Sequence, residues 1–363
     1  MLQRCAKNLH PLNFNNEFVV PMQVYDPKKE LTLLQHPYKE YGDNMERYKP
    51  EEGPIAVIGA GMVGASWAGL FAAHGRQVRL FDNDLQNLTA GVEHAKAHAD
   101  FLVQHDMTDS NLAKTGLKSL SSTLDLTQAV TGTSIIQEAV VEDLKVKKAV
   151  FKEVDRYAPR NALIITSSSG LSISQMQSTT QHPERCLAGH PYNPPHLIPL
   201  VEIAPGEKSS PEAVEAARRF YEGLGKVPIV LRREIPGYLA NRMSAALWRE
   251  AVNLSMQDVA SVEDIDKAIR YGPGLRWSVI GPNLTYHLGG GKGGIRHHTQ
   301  HLLNVKEKIW EDLDDWKSFP LPALDILEAG LPDPKTFASL ARERDERLMR
   351  VIKSLQDRNK TIP

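Results

Sequence analysis

The sequence predicts an α/β domain built on a parallel sheet, followed by an all-helical domain. Three observations carry that prediction. Between about residues 53 and 233, short apolar β-type runs alternate with amphipathic helical stretches, as a parallel sheet covered by helices requires. A glycine-rich turn joins the first such run to the first helix. Beyond Ile235-Pro236-Gly237 the β-type runs stop and long helical stretches take over. The expected organisation is an extension over 1–52, an α/β domain over 53–234 and a helical domain over 235–363.

The first strand is the apolar run Ile55-Ala56-Val57-Ile58. Gly59, Gly61 and Gly64 then complete the pattern G-x-G-x-x-G, and an apolar helical stretch follows through Trp67, Leu70 and Phe71 to Gly75. A second strand, Val78-Arg79-Leu80-Phe81, closes on Asp82. Each glycine has a task in this setting. The first permits the tight turn, the second lets a pyrophosphate approach bare backbone, and the third lets helix and strand pack closely. The helix start at Met62 and Val63 offers free N–H groups and a positive dipole end to phosphates. Asp82 stands where a carboxylate accepts both hydroxyls of an adenosine ribose and repels a 2′-phosphate. The expectation is therefore a Rossmann-type domain binding NAD rather than NADP.

The remaining elements follow in order. A polar amphipathic helix is predicted from Leu85 to about His105. Residues 134–139 read as a strand, Leu144 to Tyr157 as a helix and Ala162 to Thr166 as a buried strand. Shorter β-type runs occur at 185–188, 200–203 and 227–231, with a helix from Pro211 to about Leu224 between the last two. In the helical part, Tyr238 to about Ser255 is a long amphipathic run, and Ser261 is placed to cap a helix over 262–271. The cluster Gly289-Gly290-Gly291 with Gly293-Gly294 reads as a loop, and a charged helix is expected from Pro334 to about Arg358.

Composition narrows the function classes. A chain of 363 residues with 41% hydrophobic and 24% charged residues is an ordinary globular protein of about two domains. Its formal net charge of −1 gives no broad attraction to nucleic acid or to an anionic membrane. No apolar run approaches the roughly 18 residues that span a bilayer. The two cysteines, Cys5 and Cys186, lie far apart and in no metal spacing, so neither a disulfide framework nor a metal site is expected. A reducing, cytoplasmic setting fits; Arg4 and Lys7 make mitochondrial import the alternative.

Polar residues near the ends of the later strands are the candidates for chemistry. Ser169 lies in Thr166-Ser167-Ser168-Ser169-Gly170-Leu171, and His190 in Gly189-His190-Pro191-Tyr192-Asn193-Pro194. Both fall on the carboxyl edge of the sheet, where open α/β proteins bind ligands. Glu202 sits in the apolar run Pro199-Leu200-Val201-Glu202-Ile203. A buried carboxylate needs a partner, and an imidazole is a natural one, whose tautomer and basicity it would set. The plainer readings are a turn serine, a structural histidine and an edge-strand glutamate. Glu142 and Asp143 stand at a helix start, where the dipole favours acids. Asn241, just past the domain junction, offers an amide to a substrate oxygen or simply begins a helix.

The ordered set GAGMVG, QEAVVEDLKVK, TSSSGLS, HPYNPPHLIPLVEI and IPGYLANR closely resembles the 3-hydroxyacyl-CoA dehydrogenase superfamily over about residues 53–300. The runs HPERCLAGHPYNP, AALWREAVNL and Asp266 to Trp277 look most like its carnitine 3-dehydrogenase branch, with the gulonate 3-dehydrogenase (lambda-crystallin) branch next. The resemblance implies that His190 is the base that oxidises a substrate hydroxyl and that Glu202 orients it. It implies that Ser169 and Asn241 hydrogen-bond near the reacting oxygen, that Asp82 holds the ribose, and that Glu142 and Lys147 line the nicotinamide half. It also implies a homodimer formed by the helical domain. Two departures stand out: the N-terminal extension, and Gly170 where acyl-CoA enzymes usually carry a second serine. The expected activity is NAD-dependent oxidation of a small L-3-hydroxy acid, carnitine-like first and gulonate next, without a metal. For carnitine, Arg276 is the candidate for the carboxylate, and Tyr192, Trp277 and Tyr286 for the quaternary ammonium. A true 3-hydroxyacyl-CoA dehydrogenase is the alternative within the class, and a non-catalytic, crystallin-like NAD-binding protein the alternative outside it.

Overall fold

A computed structural model describes residues 47–356. Most of the expected N-terminal extension, and the last two residues of the expected tail helix, lie outside the described residues.

The first domain runs β1 (Ile55–Ile58), α1 (Met62–Ala73), β2 (Val78–Phe81), α2 (Leu85–Gln104), α3 (Ser110–Lys118), β3 (Ser121–Thr123), α4 (Leu126–Val130), β4 (Ile135–Glu138), α5 (Leu144–Tyr157), β5 (Leu163–Thr166), α6 (Ile173–Gln177), β6 (Cys186–Pro191), β7 (Leu200–Pro205), α7 (Pro211–Glu222) and β8 (Val227–Val230). The strands form one sheet in the order β3-β2-β1-β4-β5-β6-β7-β8. The chain order reverses between β1 and β4, and that reversal opens a crevice at the carboxyl ends of the strands. Ile58, Phe81, Glu138 and Thr166 are in register along this edge. The loops that follow them therefore converge.

The expected parallel sheet holds for the first six strands. The pair β6 and β7 is antiparallel, and β8 runs with β7. The reason lies in the connection: only residues 192–199 separate β6 from β7, too few for the helical crossover that a parallel pair needs. The reversal places Glu202 directly across from His190.

Helix α1 is buried along almost its whole length because the sheet, α2 and α3 surround it, which explains its unbroken apolar sequence. Polar helices are punctuated by side-chain caps. Asp84, Asp109, Asp143 and Ser210 each accept hydrogen bonds from the first-turn amides of α2, α3, α5 and α7.

The helical part comprises α8 (Ala240–Met256), α9 (Val262–Tyr271), α10 (Pro273–Trp277), α11 (Pro282–Gly289), α12 (Gly294–Asp312), α13 (Ala323–Gly330) and α14 (Phe337–Gln356). Ser261 caps α9 as expected, accepting from the Asp264 amide. The glycine cluster is not an open loop: Gly289 ends α11, a single 3₁₀ turn spans Gly291–Gly293, and Gly294 begins α12. Helix α14 returns to the first domain, where Lys353 Nζ lies 4.0 Å from Asp106 Oδ2. No helix among the described residues is long and apolar enough to cross a membrane.

Candidate active site

The glycine turn is built by exclusion. Gly59 has φ +102°, a left-handed conformation, and a Cβ there would meet the Ala139 carbonyl oxygen at 2.6 Å. A Cβ on Gly64 would fall 1.8 Å from the Gly59 carbonyl oxygen. At Gly61 the position is open, with nothing within 4 Å of an added Cβ. Closely packed first and third glycines with free space over the second fit a pyrophosphate lying on the start of α1. Asp82 follows β2, and its carboxylate accepts the Ala60 amide at 2.8 Å and the Asp84 amide at 3.1 Å. The turn and the acidic residue are thus tied together, with Asp82 half-buried beside the turn.

A cleft of about 530 Å³ opens next to this turn. Val63, Glu142, Lys147, Ser169, His190, Tyr192 and Asn241 all line it. They come from α1, the loops after β4 and β5, α5, β6 and the loop after it, and the start of α8, so the structure brings seven sequence-selected residues to one place. Met62 lies at the entrance to α1 and is largely exposed.

His190 Nδ1 is 2.9 Å from Glu202 Oε2. The other carboxylate oxygen, Oε1, accepts the Leu239 and Ala240 amides at 2.8 and 2.9 Å. Glu202 is fully buried. Burial alone would raise its pKa, but the His190 hydrogen bond and the two amides hold the carboxyl below its ordinary range. The edge-strand alternative for Glu202 does not apply, because β8 covers its other side. Tyr238 packs its ring 5.0 Å from that of His190.

A second polar network supports the opposite wall. Lys147 is buried and donates to Glu138 Oε1 at 2.7 Å and to the Val140 carbonyl at 3.1 Å. Glu138 also accepts Thr166 Oγ1 at 2.5 Å and the Val140 amide at 2.7 Å. Glu142 accepts Ser168 Oγ at 2.6 Å and the Ser169 and Gly170 amides at 3.0 and 3.2 Å. Against the cost of partial burial, Ser168, Lys147 and those amides hold Glu142 below the usual carboxylate range. Asp143 is the helix cap, accepting from Lys145 and Val146. Glu142 does not share that task, since its carboxylate turns to the Ser168–Gly170 loop.

Arg276 and Trp277 are exposed on the short helix α10 and line no part of this cleft. Proximity in sequence to the domain junction does not bring them there. Sequence reasoning gave no role to Glu138 or Asn193. Asn193 lines the cleft. Glu138 carried a usable signal, a carboxylate ending an otherwise apolar strand, the same signal that marked Glu202.

A dinucleotide turn and a carboxylate-held imidazole on one cleft define an NAD-dependent oxidoreductase that acts on a CH–OH group. The particular family follows from comparison. Residues 54–235 match the model described as 3-hydroxyacyl-CoA dehydrogenase, NAD binding domain, and residues 237–321 match the corresponding C-terminal domain. The chain is 36% identical over 309 residues to an L-carnitine dehydrogenase of Streptomyces coelicolor, covering 83% of this chain and 94% of the relative. It is 36% identical over 311 residues to an L-carnitine dehydrogenase of Pseudomonas aeruginosa, covering 84% and 94%. Among solved structures, an NAD+-dependent dismutase, 5-formyl-3-hydroxy-2-methylpyridine 4-carboxylic acid 5-dehydrogenase, superposes with a TM-score of 0.75 at 27% identity, covering 84% of this chain and 99% of that one. The chain belongs to the 3-hydroxyacyl-CoA dehydrogenase family, and its cofactor is NAD.

Proposed function

We propose that the protein oxidises a small L-3-hydroxy acid to the 3-oxo acid, with L-carnitine as the favoured substrate. The observation that carries the chemistry is the His190–Glu202 pair on the cleft beside the glycine turn. Glu202 holds Nδ1, which leaves Nε2 to take the substrate proton. His190 would accept the hydroxyl proton, and NAD, when bound, would supply the hydride acceptor for C3. As the ring becomes imidazolium, the buried carboxylate stabilises its charge. Ser169 and Asn241 flank the cleft and supply donors for the reacting oxygen. Glu142 and Lys147 would line the nicotinamide half of the site, and Met62, Val63 and Asp82 would hold the phosphates and the ribose.

Carnitine is favoured because relatives named for it align over nearly their whole length, and because Gly170 departs from the acyl-CoA pattern. The quaternary ammonium neither donates nor accepts hydrogen bonds, so an aromatic face suits it, and Tyr192 provides one in the cleft. NAD reduction measured on L-carnitine, L-gulonate, 3-hydroxybutyrate and 3-hydroxybutyryl-CoA tests the reading. L-Carnitine should give the highest kcat/KM. A chain that ignores it and oxidises L-gulonate would move the assignment to that branch.

The assembly reading is a homodimer through the helices after Pro236. Several large apolar side chains there face solvent, among them Trp248 (53% exposed), Val305 (57%) and Trp310 (59%). Val252 is buried within the subunit, so only part of α8 is available to a second copy. A cytoplasmic location fits the cysteine usage and composition.

A further inference from the structure

A second cavity, of about 380 Å³, lies beside the glycine turn and shares Asn193 with the catalytic cleft. Ala60, Gly61 and Met62 form one part of its lining, and Phe337, Ala341, Arg344 and Asp345 another. The spacing of the latter four puts them on one face of α14. That helix lies beyond residue 321, where the match to the family models ends. The C-terminal helix thus lines the same cavity as the backbone of the glycine turn.

The charges around this cavity are unequal. His196 bonds Ser66 Oγ through Nδ1 at 2.9 Å and stacks on His98 with ring centroids 4.0 Å apart. Burial, with His98 adding to it, pushes His196 down to about 2, and burial, with His94 adding to it, pushes His98 down to about 4. Both rings are neutral at physiological pH, and Arg344 carries the permanent positive charge of the lining. Its Nε and Nη2 are held by the Asp345 carboxylate at 2.8 and 2.7 Å. Its Nη1 donates to no group among the described residues. Asp345 cancels part of the charge but fixes the plane of the guanidinium, leaving one edge for a second acceptor.

We propose that Arg344 is a cofactor-binding residue, whose free Nη1 edge donates to a pyrophosphate oxygen of NAD lying over Gly61 and Met62. Helix α14 then forms one wall of the dinucleotide site. The inference rests on the NAD assignment and is independent of which hydroxy acid is oxidised.

Calorimetric titration of the full chain with NAD and with ADP-ribose tests it without turnover. Arg344→Ala should weaken both ligands by about 10- to 100-fold, the usual range for losing a hydrogen bond to a charged group. Arg344→Lys keeps the charge without the fork and should lie between. Arg350→Ala, on an exposed position of the same helix, should bind like the wild type. A thermal melt of each unliganded variant separates binding from folding. Wild-type affinity for ADP-ribose in Arg344→Ala would overturn the proposal, and so would an equal loss in Arg350→Ala.

Discussion

Glu202 touches His190 with one carboxylate oxygen and the amides of Leu239 and Ala240 with the other. One buried side chain thereby fixes the imidazole and anchors the start of α8, which carries Asn241 into the same cleft. The orientation of the proposed base and the placement of the helical domain share a single group.

Replacing His190 by Ala should lower kcat by about 10²–10⁴-fold, as for other positioned acid–base groups. Affinity for NAD, by titration, should hardly change, because the proposed role of His190 is to take the substrate proton and not to hold the phosphates or the ribose. Wild-type turnover in this variant would remove it as the base.

Glu202→Gln keeps the shape but removes the charge that favours imidazolium. The kcat should therefore fall by about tenfold or more, and its pH profile should shift. The carboxyl is held low in the folded chain. Its contribution to stability is therefore complete above the ordinary glutamate range and is lost as pH falls through the lower, folded value. Wild type and Glu202→Gln should differ most in Tm near neutrality and converge in acid. A constant gap down to strongly acidic pH would contradict this linkage.

The sheet, the glycine turn and the His190–Glu202 pair were legible because each follows from local chemistry. Buried strands are apolar runs, and a charged residue inside such a run needs a partner. What the sequence hid depends on contacts between distant segments. The reversal at β7 depends on the length of one connection. The Lys147–Glu138 pair joins a helix to a strand end nine residues earlier and resembles a surface charge run until its burial is known. The return of α14 to the glycine turn has no local signature at all. Arg276 and Trp277, next to the junction in sequence, line no part of the cleft within one subunit.

Asp82 should make NAD strongly preferred. Two unit charges 4 Å apart at an effective dielectric of about 20 repel by about 4 kcal/mol, roughly a thousandfold before salt screening. Steady-state kcat/KM for NADP should be lower than for NAD by on the order of 10–10³. Asp82→Ala should narrow the gap, chiefly by weakening NAD. Equal use of both cofactors by the wild type would show that the carboxylate does not face the 2′ position.

Lys226 is buried and donates to the carbonyls of Pro195 and Ile198, beside the loop that carries Asn193. Burial lowers its pKa to about 7. A lowered folded pKa means that its contribution is greatest above the ordinary lysine range and is lost as pH falls through about 7. The Tm advantage of wild type over Lys226→Met should therefore shrink between pH 10 and 6. A gap that widens toward pH 6 would mean the charged form is the one the fold prefers.

Light scattering at micromolar concentration should give twice the 40.4 kDa subunit mass. Trp310→Glu places a charge on one of the most exposed apolar positions of α12 and should shift the population toward monomer. A monomeric wild type would reject the dimer.

The substrate pocket gives the last test. Tyr192 lines the cleft, whereas Trp277 is 40% exposed on α10 and lines no part of it. If the ammonium of carnitine rests on Tyr192, losing that face costs about 0.5–2 kcal/mol, a several-fold rise in KM. Tyr192→Ala should show this rise with NAD affinity unchanged, and Trp277→Ala should keep KM within about twofold, since Trp277 lines no part of the cleft within one subunit. A similar rise in both variants would mean that a second copy brings its Trp277 to the cleft. Unchanged KM in Tyr192→Ala would remove the aromatic face from the argument and leave the ammonium to a diffuse negative field, of which Glu142 is the nearest source on the cleft wall.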